Sequence, residues 1–458
     1  MCYNARMGKE IVHSTAKEEE RAARKARRKE MKSMFSLRHY LVLMWACCMI
    51  RLYVRAKTRM SAAFREQKKK GAMLLLSNHL SAIDFAYFTT PFFGKKVNFV
   101  VAENMMYSTP FFATLIQGYH AITKKQFYAD YTCIKNIKRN IDAGISVIMC
   151  PEGKVSAEGK TGPIAFSIAK LVKWLGCPVG SSVLKGSGLT LPKWAAGIRR
   201  NRVECNLDIM LTADEVKSMS TAEIMDKIQR ALDHNEHVWQ IENGLSFRGK
   251  RLAEGLERLL YKCPQCGADF STVTERGTIS CSKCGFRAEY TSKGVIEPRG
   301  ETKECPSRID EWFEWQKEEV AKEVQAPDFV LEKPVNLFIE NAKRNGYRFA
   351  TAGVLTMTRE KLSFVSSLTR RPTKVDSTYR VSAMEYDIAE NSAETEPVEE
   401  EFMQLSFPVR NFVTIANIPG DSLDLYDEKH TYRMMFAEDK ASTKYVLAIE
   451  EINKNIRK

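Results

Sequence analysis

The sequence lacks an uninterrupted apolar run of about 20 residues, the length that a helix needs to cross a membrane. The apolar run at 40–50 (YLVLMWACCMI) has eleven residues, which rise only about 16 Å as a helix. The run also lacks the small-residue cleavage site of a secretory signal. Its basic flanks, together with Tyr40, Trp45 and Tyr53, favour a helix that lies in or dips into the cytoplasmic leaflet. A helix packed on the protein's own core is the alternative.

Net positive charge is scarce outside the amino-terminal arm. Residues 1–70 hold 19 Lys and Arg against 6 Asp and Glu, so 13 of the net charge of +14 lies there. A nucleic-acid enzyme more often carries a basic face on its folded domain, so this distribution favours an anionic membrane surface. Within the arm, 18–32 indicates a solvated, highly charged helix or a tail. The acidic stretch at 383–402 contains no basic residue and indicates a solvated loop.

The cysteines show no disulfide framework, which indicates a reducing compartment such as the cytosol. Four of the twelve form two pairs, CPQC and CSKC, separated by fourteen residues. Four thiolates with no histidine nearby predict a closed, structural Zn²⁺ site in a zinc ribbon. A redox dithiol pair and a chance pattern are the alternatives. The predicted zinc ligands are Cys263, Cys266, Cys281 and Cys284.

Short apolar runs alternate with amphipathic segments from Gly71 to about Thr212, which predicts an α/β domain. We expect its strands at 72–76, 97–102, 146–150, 178–184 and 203–211. Its helices are expected at 81–92, 126–143 and 164–175.

The rest of the chain divides by composition, and no internal repeat is present. We expect 221–261 to be largely helical, 312–324 to be a helix, and the pattern beyond 335 to be strand-like with a closing helix at 441–454. The predicted organisation is a basic arm with a membrane-associated helix over 1–60, an α/β domain over 61–235, a helical linker over 236–262, a zinc ribbon over 263–295, a helical connector over 296–334 and a mostly β carboxy-terminal domain over 335–458.

The stretch SNHLSAIDF places a histidine and an aspartate between two apolar segments. Two positions five apart on one helix point to different faces, so we expect His79 in a turn after the strand. Ser81 and Asp84 form a capping-box pattern, which puts Asp84 in the first helical turn, able to reach back. A carboxylate beside an imidazole fixes its tautomer and stabilises the imidazolium, so the pair predicts a general base. The alternative is that Asp84 is only a cap and His79 only a turn residue.

A second group of polar residues follows the strand predicted at 146–150, in PEGKVSAEGKTGPI. Glu152 and Gly153 stand where a strand of an open α/β sheet delivers residues to a crevice. Lys154 and Lys160 add positive charge, and Lys124 and Lys125 do so at the end of another short strand. Together with the base, they suggest a hydroxyl nucleophile activated beside an anion such as phosphate. A merely solvated loop is the alternative.

These motifs together resemble the glycerolipid acyltransferase family, especially the 1-acylglycerol-3-phosphate acyltransferases. Their order and spacing agree across about 71–215, under a third of the chain. In the third block, usually E-G-T-R-S, this sequence has lysine and valine in place of threonine and arginine, and lysine lacks bidentate phosphate geometry. The matching blocks are His79 with Asp84, then Gly118 with Ile122 and Lys124, then 151–156, and finally the strand at 178–184.

The resemblance implies acyl transfer without a covalent enzyme intermediate. His79 would act as the base, Asp84 would orient it, and Glu152 with Gly153 would help to position the acceptor. Lys124 and Lys154 would hold the acceptor's phosphate. The implied donor is acyl-CoA or an acyl carrier protein thioester, and the first acceptor to expect is 1-acylglycerol-3-phosphate. The protein would then be a monotopic or peripheral enzyme of phospholipid biosynthesis on the cytoplasmic face of the membrane.

The strand pattern beyond 335 is similar to pleckstrin-homology or GRAM-type lipid-binding domains, although no diagnostic motif is present. Three alternatives follow for the whole chain. It could act on another glycerolipid, serve as an inactive membrane adaptor, or bind nucleic acid through its basic arm and ribbon. The intact His79, Asp84 and Glu152 argue against the adaptor. The apolar run and the near-neutral remainder argue against nucleic acid.

Overall fold

A computed structural model describes residues 36–107, 110–126, 130–195, 197–341, 346–366, 403–427, 430–436 and 440–454. This part of the chain contains three β sheets with helices packed around them. The charged segment at 18–32 and the acidic stretch at 383–402 lie outside the described residues, so what we expect of them stays a prediction.

The first sheet has the alternating architecture predicted for an α/β domain. Its seven strands stand in the order β1-β7-β6-β2-β5-β3-β4. Strands β6, β2, β5, β3 and β4 share one direction, whereas β1 and β7 run the opposite way. The strands are β1 Lys57–Met60, β2 Leu74–Ser77, β3 Val97–Ala102, β4 Ile122–Lys124, β5 Ser146–Met149, β6 Val179–Lys185 and β7 Glu204–Leu211.

The centre of this sheet is apolar because both of its faces are covered. Every residue of β2 (LLLS) and β5 (SVIM) is buried, as expected for parallel strands sandwiched between helices. Two hydrophobic cores lie on the two faces, one including Tyr87 and Phe64 and the other including Val147 and Ile168. Since β6, β2 and β5 are parallel neighbours, the loops after their carboxyl ends lie side by side.

The helices around the sheet begin later than the periodicity predicted. The predicted start of a helix at 126 is wrong, because Asp130 accepts a hydrogen bond from the backbone N–H of Cys133 and caps a helix that begins at Tyr131. The helix expected from 164 begins at Ser167. The helices are α1 Leu37–Val54, α2 Ala62–Lys70, α3 Phe85–Thr89, α4 Pro110–Tyr119, α5 Tyr131–Asp142, α6 Ser167–Leu175, α7 Ser187–Thr190, α8 Ala213–Ser218, α9 Thr221–Leu232 and α10 Glu236–Glu242.

Helix α1 has one buried face and one exposed face. One face packs on the α/β core, where the hydroxyl of Tyr40 donates to the carbonyl of Phe92 at 3.1 Å. The helix has 18 residues rather than eleven and is, by length and composition, the one candidate for a membrane span among the described residues. Its other face carries large apolar side chains in contact with solvent, namely Leu37, Leu41, Val42, Trp45, Met49, Leu52 and Tyr53.

The segment after α10 departs from its predicted helical structure. Between 243 and 261 the described chain has only one 3₁₀ turn, Leu256–Arg258, so the prediction of a largely helical 221–261 is wrong for this half. Apolar side chains explain the difference, because Leu256, Leu259, Leu260 and Tyr261 are fully or almost fully buried beside the next module. The segment is therefore packed core, where tertiary contacts override helix propensity.

The cysteine-bearing module is a small antiparallel sheet followed by a long helix. Its strands, β8 Thr272–Glu275, β9 Thr278–Cys281, β10 Arg287–Tyr290 and β11 Ile296–Pro298, stand in the order β11-β10-β9-β8. Helix α11, Ile309–Gln325, contains the segment predicted at 312–324. Trp312 of α11 packs edge-on against Phe286, which directly precedes β10, with ring centroids 5.6 Å apart.

The carboxy-terminal region is mostly β, as predicted, and closes with a helix. Seven antiparallel strands stand in the order β15-β14-β13-β12-β18-β17-β16, and helix α12, Ser442–Ile452, packs into their shared core. The strands are β12 Leu331–Asn341, β13 Gly346–Met357, β14 Lys361–Ser366, β15 Gln404–Pro408, β16 Ala416–Ile418, β17 Ser422–Tyr426 and β18 Thr431–Phe436.

The carboxy-terminal domain contacts the α/β domain at the carboxyl edge of the first sheet. After β3, the amide of Asn104 donates to Asp424 at 2.8 Å. After β5, Lys154 donates to Glu450 at 2.6 Å. After β6 and α7, Lys193 lies 3.5 Å from Asn417. Three loops from one edge of the first sheet therefore meet the domain that follows the ribbon.

Candidate active site

The turn that carries His79 is fixed to the sheet by its neighbour. The Asn78 side-chain amide donates to the carbonyl of Leu184 at 2.9 Å and accepts from the backbone N–H of the same residue at 2.8 Å. Leu184 belongs to β6, the neighbour of β2, so this pair of bonds ties the end of one strand to the other. His79 therefore leaves β2 from a rigid position at the carboxyl edge.

Asp84 lies against His79, as their spacing predicted. The Nδ1 atom of His79 is 3.0 Å from Oδ2 of Asp84. The carboxylate is fully buried, whereas the imidazole is 26% exposed. A carboxylate can only accept, so Nδ1 carries the proton and Nε2 is left with a lone pair that can take a proton from a substrate. The arrangement can therefore act as a general base.

The predicted capping box at Ser81 and Asp84 is formed only in part. Oδ2 of Asp84 accepts from the backbone N–H of Ser81 at 2.9 Å, as the box requires, and also from that of Leu80 at 2.7 Å. The N–H of Asp84 donates to the Ser81 carbonyl rather than to its hydroxyl, and helix α3 begins only at Phe85, with Asp84 at its N-cap. The carboxylate turns back into the His79 turn because that turn offers three donors to one oxygen.

Sequence analysis missed two residues, Ser187, which contacts Asp84, and Glu236, which holds the neighbouring Gly186. The hydroxyl of Ser187, at the start of α7, donates to Oδ1 of Asp84. Both carboxylate oxygens of Glu236 accept from the backbone N–H of Gly186, at 2.8 and 2.7 Å. Gly186 has φ +82, and a Cβ there would lie 1.9 Å from the carbonyl oxygen of Arg202, so only glycine fits. The signal in the sequence was K-G-S directly after a strand.

Glu152 holds the backbone of His79 from the neighbouring strand. Its Oε1 accepts from the N–H of His79 at 2.8 Å, and its Oε2 accepts from the N–H of Gly162 at 2.7 Å. The N–H of Ser156 donates to the carbonyl of His79 at 2.8 Å. Burial raises the pKa of Glu152 to about 8, against the two N–H donors, which lower it. The loop after β5 thus brackets His79 on both sides.

The other residues predicted to bind substrate have partners within the protein. Gly153 adopts φ +74 in the tight turn of the bracketing loop, and its carbonyl accepts from Gln126 at 2.5 Å. Lys124 donates to the carbonyl of Lys125 at 3.0 Å, and burial lowers its pKa. Lys154 donates to Glu450 and to Thr414 of the carboxy-terminal domain. The structure therefore gathers His79, Asp84, Glu152 and Gly153, and directs Lys154 towards another domain.

The four predicted zinc ligands lie together in the ribbon. Their sulfur atoms are all within 4.8 Å of one another, with Cys263 and Cys284 3.7 Å apart and Cys266 and Cys281 3.9 Å apart. Tetrahedral zinc with Zn–S bonds of about 2.3 Å requires sulfur atoms about 3.8 Å apart. These four residues therefore fit a closed structural zinc site.

Comparison with known proteins gives matches within the α/β domain. Residues 56–185 match the Acyltransferase family. A chloroplastic 1-acyl-sn-glycerol-3-phosphate acyltransferase from Brassica napus is 24% identical over 162 residues, which cover 35% of this chain and 46% of the relative. The match thus spans less than half of that relative's length.

Among solved structures, the crystal structure of the 1-acyl-sn-glycerophosphate acyltransferase of Thermotoga maritima is similar at 15% identity with a TM-score of 0.34. It covers 42% of this chain and 77% of that one. A likeness this distant supports no argument about function.

Proposed function

We propose that this chain, whose residues 56–185 match the Acyltransferase family, transfers a fatty acyl group from a thioester donor to the hydroxyl of a lysophospholipid. The observation that carries the proposal is the contact between His79 and the buried Asp84 at the carboxyl edge of the sheet. The first acceptor to test is 1-acylglycerol-3-phosphate, and the donor is acyl-CoA or an acyl carrier protein thioester. Both assignments draw on the family resemblance and on what the matching relatives are named for.

The proposed reaction is a single displacement at the thioester carbon. Nε2 of His79 removes the proton of the acceptor hydroxyl while its oxygen attacks the carbonyl carbon of the donor. The new C–O bond forms an ester, the C–S bond breaks, and the proton passes from His79 to the departing thiolate. Asp84 stabilises the imidazolium that exists between the two proton transfers. Glu152 contributes by holding the backbone of His79 in place.

Helix α1 supports a membrane location for this reaction. Its solvent-facing apolar side chains would enter the lipid, while the packed face keeps the helix attached to the α/β core. The 19 Lys and Arg of residues 1–70 add attraction to an anionic leaflet. We infer a monotopic or peripheral enzyme on the cytoplasmic face, with a structural zinc in the ribbon and a lipid-binding role for the carboxy-terminal domain.

The direct test is transfer of a labelled acyl group from acyl-CoA to a panel of lysophospholipids, read by mass spectrometry. We expect His79→Ala and Asp84→Asn each to lower the rate at least about 100-fold, because general-base catalysis contributes about 10² to 10⁴. His430→Ala is the matched control, since this exposed histidine lies 3.2 Å from Glu340 in a similar pair within the carboxy-terminal domain.

Unchanged melting temperatures would show that the variants are folded. Transfer that survives His79→Ala would exclude the proposed base. A wild-type protein that acylates no acceptor but still binds vesicles would favour the membrane adaptor instead.

A further inference from the structure

Lys154 lies beside His79 although its side chain points elsewhere. Two residues before it, Glu152 accepts from the N–H of His79, and two residues after it, Ser156 donates to the carbonyl of His79. Consecutive Cα atoms are about 3.8 Å apart, so the backbone of Lys154 is confined to the rim of the proposed site. An acceptor hydroxyl that reaches His79 would bring its headgroup close to this loop.

The ammonium group of Lys154 is held by the carboxy-terminal domain. It donates to Oε1 of Glu450 on α12 at 2.6 Å and to Oγ1 of Thr414 at 3.0 Å. The Thr414 hydroxyl donates to the same Glu450 oxygen at 2.5 Å. The side chains of Lys154 and Glu450 are only 20% and 11% exposed. Removal from water strengthens the attraction between such charges relative to an exposed pair.

The junction around this pair contains a second lysine and little free space. A cavity of about 30 Å³ lies there, lined by Lys154, Lys193, Glu450 and the apolar Val155, Leu259 and Val446. It has room for about one or two water molecules and is too small for an acyl chain. Because Lys154 is bonded to Glu450, an anion that draws Lys154 to the site must compete with that carboxylate.

We propose that Glu450 is a specificity-determining residue of the acyl-acceptor site, because its carboxylate competes with the acceptor's phosphate for Lys154. This inference rests on the function proposed above. A lysine side chain has a flexible four-carbon stem, so its ammonium group can swing from α12 to a headgroup without a change in the bracketing loop. A phosphate-monoester acceptor must displace Glu450, whereas a neutral acceptor has no need to do so.

The test compares two acceptors that share the same hydroxyl, 1-acylglycerol-3-phosphate and uncharged 1-acylglycerol. Glu450→Gln keeps the shape of the side chain and removes its charge. We expect it to raise the ratio of kcat/KM for the phosphate acceptor over the neutral one about tenfold, through KM. Adding Lys154→Met to Glu450→Gln should abolish this gain.

Glu451→Gln is the matched control, because it removes the same charge from the next residue of α12, where the partner is Lys454. The control should leave the ratio unchanged. A ratio that Glu450→Gln leaves unchanged, or a loss shared equally by both acceptors, would overturn the inference and reduce the contact to a structural one.

Equilibrium binding separates this inference from the proposed function. Glycerol 3-phosphate, titrated calorimetrically into wild type and Glu450→Gln, should bind about tenfold more tightly to the variant whether or not transfer occurs. Tighter binding without any transfer would sustain the role of Glu450 and reject the acyltransferase assignment. Transfer by the wild type together with equal binding by both proteins would sustain the acyltransferase assignment and reject the role of Glu450.

Discussion

At the scale of single residues, both carboxylate oxygens of the buried Asp84 accept hydrogen bonds. Three donors of the His79 turn bind Oδ2, and Ser187 binds Oδ1. These hydrogen bonds take the place of those that water would make to an exposed carboxylate. The orientation of the Asp84 carboxylate depends on Ser187, because the hydroxyl of Ser187 makes the one hydrogen bond to Oδ1 within the described chain.

We expect Ser187→Ala to lower kcat about tenfold while KM for donor and acceptor stays unchanged. The reason is that Asp84 keeps its contact with His79 but loses the bond that fixes its plane. Steady-state kinetics would measure kcat and KM, and thermal unfolding would measure any loss of stability. Ser182→Ala is the control, since it removes a fully buried hydroxyl from the same strand region and should cost only about 1 kcal/mol of stability. A kcat equal to that of the parent would show that Asp84 needs no such support.

Local spacing predicted one half of this site and could not predict the other. His79 and Asp84 are five residues apart, so a turn followed by a helix brings them together. Ser187 is 103 residues from Asp84, and Glu450 is 296 from Lys154. Only the order of strands in the sheet and the docking of a separate domain make these pairs neighbours, and no periodicity in the sequence encodes either.

At the scale of elements, α1 is unusual in exposing an apolar face that no described part of the chain covers. Side chains at 41, 45, 49 and 52 follow helical spacing and remain in contact with solvent. A stripe of this kind on a water-soluble surface is unfavourable unless another apolar phase covers it. The face is therefore the natural place for the lipid contact proposed above.

Replacing Trp45 and Leu52 together by Gln should weaken binding to anionic vesicles by at least about tenfold. Each large apolar side chain contributes about 1.5 to 3 kcal/mol when it is removed from water, and neither supports the core. Vesicle sedimentation would measure the change. Trp174→Gln is the matched control, since this tryptophan is also exposed but lies on α6. Equal binding by the α1 variant and the Trp174→Gln control would show that the membrane contact does not lie on α1.

Elements were predicted best where burial alone decides them. Strand β3 has the bounds expected from its apolar run, and β2 and β5 differ by one or two residues. The errors occur where side chains reach beyond the local pattern. Asp130 capped α5 later than its periodicity suggested, and the apolar residues at 256–261 packed against the ribbon rather than forming a helix.

At the scale of the whole molecule, the ribbon connects the two larger domains. Tyr290 of the ribbon packs against Trp194 and Phe247, with centroids 6.3 and 5.8 Å apart. On its other side, Asp269 binds Lys262 at 3.2 Å and also Lys444 of α12. Loss of order in the ribbon would therefore destabilise both larger domains.

We expect the protein to contain about one zinc per chain, and Cys263→Ser with Cys281→Ser to remove it. The variant should melt at a lower temperature in a transition that includes the carboxy-terminal domain, because the ribbon's packing and ion pairs depend on its fold. Elemental analysis and calorimetry would measure both effects. Cys305→Ser is the control, since this thiol is half-buried near the ribbon but outside the cluster. A full-length protein without zinc would contradict the prediction.

The distance along the chain between Lys154 and Glu450 has a consequence for biosynthesis. Ribosomes add about 5 to 20 residues per second, and domains fold in order from the amino terminus. The α/β domain is predicted to end at 235, and the 215 residues from 236 to Glu450 then take about 11 to 43 s to synthesise. For that time the nascent α/β domain can be complete around His79 while Glu450 does not yet exist. Newly made chains would thus pass through a period in which Lys154 is available to any phosphate present at the ribosome.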